Sequence, residues 1–215
     1  MQPFQEKFIR YSIDCGVLRF GDFTLKSGRR SPYFFNTGLF DNGARLGRLG
    51  EFYAKAILFQ NIRADVLYGP AYKGIPLVCA TAIALARETG QEIPFAFNRK
   101  EAKGHGEGGA LIGTSLQGTV LILDDVITAG TSVREAAAII RASGATPCGV
   151  LIALDRQEKG LEGKSAVSEV REQFGMTVHS IVTLTNIVEY LEVMGQSDEL
   201  RTIRGYQTEF ETADA

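Results

Sequence analysis

The sequence predicts an α/β fold: a central, mostly parallel sheet flanked by helices, with a small N-terminal hood. Three observations carry this. From residue 65 onward, short apolar runs alternate with helical patterns, as in strand–helix units that stack into a parallel sheet. One run, Val120, Leu121, Ile122 and Leu123, is apolar without a break, as a strand buried on both faces must be. Roughly the first 40 residues do not join the alternation, and they read as a hood over the sheet's carboxyl edge.

The elements follow in chain order. Phe4, Phe8, Tyr11 and Ile13 recur at helical spacing, and Gly16 is a stop signal. Residues 23–36, FTLKSGRRSPYFFN, alternate around Ser27-Gly28 and read as a hairpin. A helix over about 44–59 places Leu46, Leu49, Phe52, Tyr53 and Ile57 on one side. A strand over 65–68 leads through a Gly-Pro turn to a helix over about 76–89, and a strand over 94–97 runs into a Gly- and Lys-rich loop. After the apolar strand at 120–123 and a helix starting near Val133 come a strand over 150–154, a charged helix near 164–174, a strand over 177–182 and a last clear helix over 186–193.

The chain has 215 residues, enough for one substantial core, and one domain over 1–215 is expected. Hydrophobic residues make up 45% and charged residues 22%, ordinary values for a globular enzyme. A net charge of −2 argues against general nucleic-acid affinity, so any attraction for phosphate must be local. Cys15, Cys79 and Cys148 are odd in number and form no C-x-x-C; they read as reduced thiols of a cytoplasmic protein. Glu6, Lys7 and Arg10 do not fit a secretory signal, and the longest apolar stretch, 77–86, is too short to cross a bilayer.

The chemistry concentrates at residues 119–132, TVLILDDVITAGTS. The buried run ends in Asp124 and Asp125, which it delivers to the sheet edge where α/β proteins bind ligands. The small residues that follow offer backbone N–H groups, Thr128, Thr131 and Ser132 hydroxyls and a helix N-terminus, the parts of a phosphate site. Two acids would repel that phosphate, so they need another partner. Adjacent ribose hydroxyls or a bound Mg²⁺ supply one, and the ligand inferred is a ribose 5-phosphate unit. A plain capped turn would explain the hydroxyls but not the paired acids. A P-loop would need a Lys before its Ser/Thr, and a dinucleotide fingerprint needs three spaced glycines where only Gly130 occurs.

Three more segments lie at strand ends. LYGPAYKGIP, residues 67–76, places Lys73 beside a tight turn. FNRKEAKGHGEGG, residues 97–109, carries Arg99, Lys100, Lys103 and His105 among glycines, as a closing lid over a polyphosphate would need. Lys26, Phe34 and Phe35 on the hairpin, with Arg156 after the strand ending at Leu154, suit a planar base bearing a carboxylate, which Arg binds as a fork. The second histidine, His179, sits in an apolar strand pattern and reads as structural.

Together, FTLKSGR, SPYFFN, GPAYKG, NRKE, HGEGG, DDVITAGT and LDRQE resemble the bacterial orotate family of type I phosphoribosyltransferases from about residue 18 to 160. The resemblance implies the type I phosphoribosyltransferase fold, a mobile lid over roughly 98–113, and a non-proline cis peptide at Ala71–Tyr72. It implies transfer of ribose 5-phosphate from phosphoribosyl diphosphate to orotate in pyrimidine synthesis, with Mg²⁺ as cofactor, held mainly by substrate, Asp124 and Asp125 being the candidate neighbours. For phosphoribosyl diphosphate it implies Lys26, Tyr72, Lys73, Arg99, Lys100, Lys103, His105, Asp124 and Asp125 with the loop Val126, Ile127, Thr128, Ala129, Gly130, Thr131 and Ser132. For orotate it implies Lys26, Phe34, Phe35, Thr128 and Arg156, and as catalytic groups Lys103, Asp125, Lys26 and His105. It further implies a homodimer whose subunits share their sites. Two rivals stay open: a phosphoribosyltransferase for another base, and a non-catalytic regulator that senses phosphoribosyl diphosphate.

Overall fold

A computed structural model describes residues 1–25, 28–99, 111–127, 130–159 and 163–210. The sheet has six strands: β3 (Val66–Gly69), β4 (Phe95–Asn98), β5 (Leu111–Gly113), β6 (Thr119–Leu123), β7 (Thr146–Asp155) and β8 (Thr177–Thr183). They lie in the order β5-β4-β3-β6-β7-β8. Every pairing is parallel except that of β4 with β5. A hairpin of β1 (Leu18–Thr24) and β2 (Arg30–Phe35) forms a separate antiparallel pair.

Burial on both faces explains the uninterrupted apolar runs. Along β3, β6 and β7 alternate residues enter two different cores. Leu67, Leu121, Leu123 and Leu151 belong to the larger one, with α2 (Gly43–Phe59), α3 (Gly74–Thr89), α6 (Leu184–Val193) and the N-terminal helix α1 (Pro3–Asp14). Val66, Tyr68, Val120, Ile122 and Val150 belong to the other, with α4 (Thr131–Ala142) and α5 (Ala166–Phe174).

The chain leaves β3 toward β4 on one side and later returns on the other side as β6. Strand order therefore reverses between β3 and β6, which opens a crevice at their carboxyl ends. The loop after β3 carries Lys73 and the loop after β6 carries Asp124 and Asp125. The N-terminal segment leans over this edge. Helix α1 is fixed when Gln5 Nε2 donates to the Ile181 carbonyl (2.8 Å) and Phe8 packs edge-on against Phe52 (5.1 Å). The hairpin reaches the end of β7 through Ser31 and Tyr33, which bond Arg156 and Glu158.

Three expectations need correction. The last helix is not at 186–193: α7 (Ser197–Phe210) follows it. Only Ile203 and Tyr206 of α7 are buried, so its sequence shows a faint apolar stripe, and tertiary partners hold it. Residues 111–113 are strand β5 rather than part of a loop reaching 113, since Leu111, Ile112 and Gly113 pair with Asn98, Phe97 and Ala96. Strand β7 begins at Thr146 rather than 150, because Thr119 and Val120 pair with Thr146 and Pro147; Pro147 and Gly149 conceal this start. The turn expected at Ser27-Gly28 holds at Gly28, whose φ of +83° suits glycine; Ser27 lies outside the described residues.

Candidate active site

Strand β6 is fully buried at Val120, Leu121, Ile122 and Leu123, so the residue after it is still enclosed. Asp124 is 6% exposed. Its Oδ2 accepts from Ser132 Oγ (2.6 Å) and its Oδ1 from the Asp125 N–H (2.9 Å). Tyr53 Oη donates to the Asp124 carbonyl (2.7 Å). Burial pushes the Asp124 carboxyl up to about 6, against the Ser132 hydrogen bond and with the help of the Asp125 charge.

Asp125 faces the crevice. Its Oδ1 accepts from the Val126 N–H (2.9 Å), and its Oδ2 from Thr37 Oγ1 (2.7 Å) and Lys73 Nζ (2.6 Å). The lysine side chain is 63% exposed and the aspartate 13%. Thr37, Tyr53, Leu77, Lys73 and Asp125 line a cavity of about 210 Å³.

The turn after β3 is built around close backbone approach. A methyl on Gly69 would sit 2.2 Å from the Gly74 carbonyl oxygen, and one on Gly74 2.6 Å from Pro70 Cδ. Between them the Ala71–Tyr72 peptide is cis, as the sequence resemblance implies. Asn98 Oδ1, at the end of β4, accepts from the Ala71 N–H (2.9 Å). Tyr72 is exposed at the rim.

Helix α4 starts at Thr131 after Gly130 (φ +66°), with no side-chain cap among the described residues. Ser132 spends its hydroxyl on Asp124. The first N–H groups of α4 are thus unclaimed by a cap and suit an anion. Val126 and Ile127 pack toward the two cores on either side of the sheet. Arg99 directly follows β4 and is half-buried. Because Asn98 pairs with Leu111, both ends of the cationic segment are anchored at the carboxyl end of β4. Lys26, Lys100, Lys103, His105, Thr128 and Ala129 lie outside the described residues.

The hairpin residues expected at the base divide between two faces of β2. Ser31, Tyr33 and Phe35 alternate with Pro32 and Phe34. Phe35 packs against Phe8 (6.4 Å). The Phe34 ring lies on the opposite face, stacked on Phe23 (5.6 Å) beneath Arg19 (5.7 Å). Arg156 sits on the Tyr33 side, its guanidinium 4.3 Å from that ring's centroid. Glu158 Oε1 accepts from Arg156 Nε (2.9 Å) and Nη2 (2.7 Å), and Ser31 Oγ accepts from Nη2 (3.2 Å). The structure therefore brings Arg156 and Phe35 to one side and turns the Phe34 ring away. His179 is structural: it sits in β8, bonded to Gln60 (2.9 Å), with burial lowering its pKa.

Sequence reasoning missed Thr37, Tyr53 and Glu158. Thr37 has no local signal, and Tyr53 reads as one more apolar position of α2. Glu158 had one: a buried arginine after a core strand needs a counter-charge, and LDRQE offers it two residues on.

The phosphoribosyl transferase domain family matches residues 39–183 of the chain. An orotate phosphoribosyltransferase of Methylococcus capsulatus is 65% identical over 213 residues, covering 99% of this chain and 100% of that protein. One from Pseudomonas aeruginosa is 57% identical over 211 residues, covering 98% and 99%. The crystal structure of the Francisella tularensis orotate phosphoribosyltransferase is 38% identical and superposes with a TM-score of 0.88 over 96% of this chain and 100% of its own.

Proposed function

The chain belongs to the phosphoribosyl transferase family, and from that premise we infer that it transfers ribose 5-phosphate from phosphoribosyl diphosphate to orotate, giving orotidine 5'-monophosphate and diphosphate. Orotate as the acceptor is supported by the identity with relatives of that name over nearly the whole chain. The observation that carries the chemistry is the acid pair at the β3/β6 crevice, faced by Lys73 and flanked by the uncapped start of α4.

In this reading Asp124 and Asp125 accept hydrogen bonds from the two ribose hydroxyls, and the N–H groups from Thr128 to Ser132 hold the 5-phosphate. In the free protein Lys73 covers Asp125. A pair with so exposed a lysine is worth about 0–1 kcal/mol, so incoming ribose hydroxyls displace it at small cost. Lys73 is then released toward the diphosphate, next to the backbone of the cis turn. The anomeric carbon gains positive charge as diphosphate departs, so the task is to stabilise charge rather than to supply a nucleophile. Lys73, Arg99, Lys100, Lys103 and His105 offset the negative charge on the leaving group, and Asp125 stands near the developing positive charge. Lys26, Phe35, the Phe34 backbone, Thr128 and Arg156 position orotate.

Among the described residues no cluster of three or more His, Cys, Asp or Glu could cage a metal, and both acids are already occupied by donors. A Mg²⁺ held mainly by substrate, with Asp124 and Asp125 beside it, would neutralise charge on the leaving diphosphate. The proposal includes a homodimer in which Lys103 of the partner subunit serves each site, a lid over the segment after β4, and one domain over the chain. No described helix is long and apolar enough to cross a membrane; the unpaired thiols of Cys15, Cys79 and Cys148 support a cytoplasmic location. The test is loss of orotate absorbance: turnover is expected only with both phosphoribosyl diphosphate and Mg²⁺ present, and its absence with both present would refute the reading.

A further inference from the structure

The carboxylate of Glu158 is the centre of a largely buried cluster. Its Oε1 accepts from Arg156 Nε and Nη2 and from Tyr33 Oη (3.0 Å), and its Oε2 from Arg29 Nη1 (3.3 Å). The Arg156 and Glu158 side chains are 17% and 11% exposed. Arg29 is itself fixed, with Nη2 donating to the Lys159 carbonyl (2.8 Å) and its guanidinium 4.5 Å from the Phe210 ring centroid. Tyr33 is fully buried and meets Tyr206 edge-on (6.2 Å). Helix α7 thus backs the cluster from behind.

Two consequences follow. Glu158 occupies the Nε–Nη2 edge of Arg156, and no described residue bonds Nη1. The guanidinium is held flat on Tyr33 with its far end on offer. In addition, two guanidiniums share one carboxylate. The nearby Asp155 turns its Oδ1 to the Gln157 N–H (2.9 Å). With the Asp155 carboxylate close enough to feel the Glu158 charge, the two guanidiniums and the two carboxylates balance, so the cluster holds Arg156 in place without a net charge of its own.

We propose that Glu158 is a positioning residue for the base subsite: it aims the Nη1 end of Arg156 at the carboxylate of orotate. This rests on the reading that Arg156 receives that carboxylate. Glu158 itself does not touch the base.

The test compares Glu158→Gln, Arg156→Ala and the double variant by steady-state kinetics, with thermal melting to monitor folding. Glu158→Gln keeps the shape and loses the charge that orients Arg156. It should raise the orotate KM about tenfold, as expected for one charged hydrogen bond, with much smaller changes in kcat and in the KM for phosphoribosyl diphosphate. In the Arg156→Ala background the same change should add less than about twofold, because its route is gone. Glu158→Asp, which keeps the charge, should restore part of the orotate KM. A merely structural role would move both substrates together and would persist in the double variant. An unchanged orotate KM in Glu158→Gln, or an equal rise with and without Arg156, overturns the proposal. Should Glu158→Gln not fold, Glu158→Asp must show a smaller rise confined to orotate, and an unchanged value overturns the proposal equally. If Arg156→Ala leaves the orotate KM unchanged, the assignment of Arg156 fails. If Arg156→Ala raises it and Glu158→Gln does not, only the present inference fails.

Discussion

Replacing Asp124 by Asn should stabilise the free protein while damaging its activity. Burial raises this carboxyl from its ordinary 3.8 to about 6. A raised acid binds more protons folded than unfolded. The penalty for keeping it ionised in the fold is therefore absent below the unfolded pKa, near 3.8, and complete above the folded value, near 6. A carboxyl raised this far costs the fold roughly 3 kcal/mol at pH 8. Asn fits the contacts that exist: its oxygen accepts from the Asp125 N–H, and its amide donates to the Ser132 hydroxyl, which now turns to accept. The substitution should thus gain about 2–3 kcal/mol at pH 8, or roughly 4–12 °C in melting temperature for a chain of this size, and close to nothing at pH 4. Urea unfolding of both proteins across that range, at one protein concentration and without ligand, reads the difference. Equal stability at pH 8, or a gain that does not fade on acidification, would refute the argument that desolvation dominates this site. With Asp124 as the proposed acceptor of a ribose hydroxyl, turnover should fall more than about tenfold on loss of that charged hydrogen bond.

Other substitutions probe separate parts. Arg156→Lys keeps the charge but loses the fork, so orotate KM should rise tens- to a hundred-fold, on the order of 2–3 kcal/mol; unchanged orotate kinetics would remove Arg156 from the base subsite. Gly69→Ala would place a methyl 2.2 Å from the Gly74 oxygen, so phosphoribosyl diphosphate binding, followed by calorimetry, should be lost along with some stability. Ile203→Ala, in the fully buried anchor of α7, should cost about 2–5 kcal/mol in denaturant unfolding, and a neutral result would mean that α7 is not part of the cooperative fold. Lys103→Ala and Asp125→Asn proteins, each nearly inactive, should regain about a quarter of wild-type activity when mixed and re-equilibrated, because random pairing makes about half the dimers mixed, each with one intact site. Confirmed heterodimers with no regained activity would exclude shared sites.

What the sequence reveals about this molecule depends on how local the cause is. Strand β6 is legible because burial on both faces leaves no room for a polar residue until Asp124. The grouping of Asp124, Asp125 and Ser132 is legible because they sit within eight residues of one another in the chain. Strand β5 is not: three residues joined to β4 by backbone hydrogen bonds leave no compositional trace. Helix α7 is equally silent, since Tyr206 and Phe210 are held by Tyr33 and Arg29 from the far end of the chain. The same holds inside the site. Lys73 is recognisable as a cation at a turn, but its resting partner Asp125 lies 52 residues away. That Phe34 and Phe35 point to opposite faces follows from strand alternation, but which of the two shares a face with Arg156 depends on the pairing of β2 with β1, which places Phe34 opposite Arg19. Adjacent aromatics do not disclose that register.

We propose orotate, and not another base, as the acceptor at this site. The direct measurement offers the protein phosphoribosyl diphosphate and Mg²⁺ with orotate, uracil, adenine or hypoxanthine in separate reactions, and follows diphosphate release alongside the nucleotide formed. Diphosphate and orotidine 5'-monophosphate should form in equal amounts with orotate, and release should be far slower with uracil, which lacks the carboxylate proposed as the partner of Arg156. Preferential turnover of a purine, or binding of phosphoribosyl diphosphate with no transfer to orotate, would contradict the proposal.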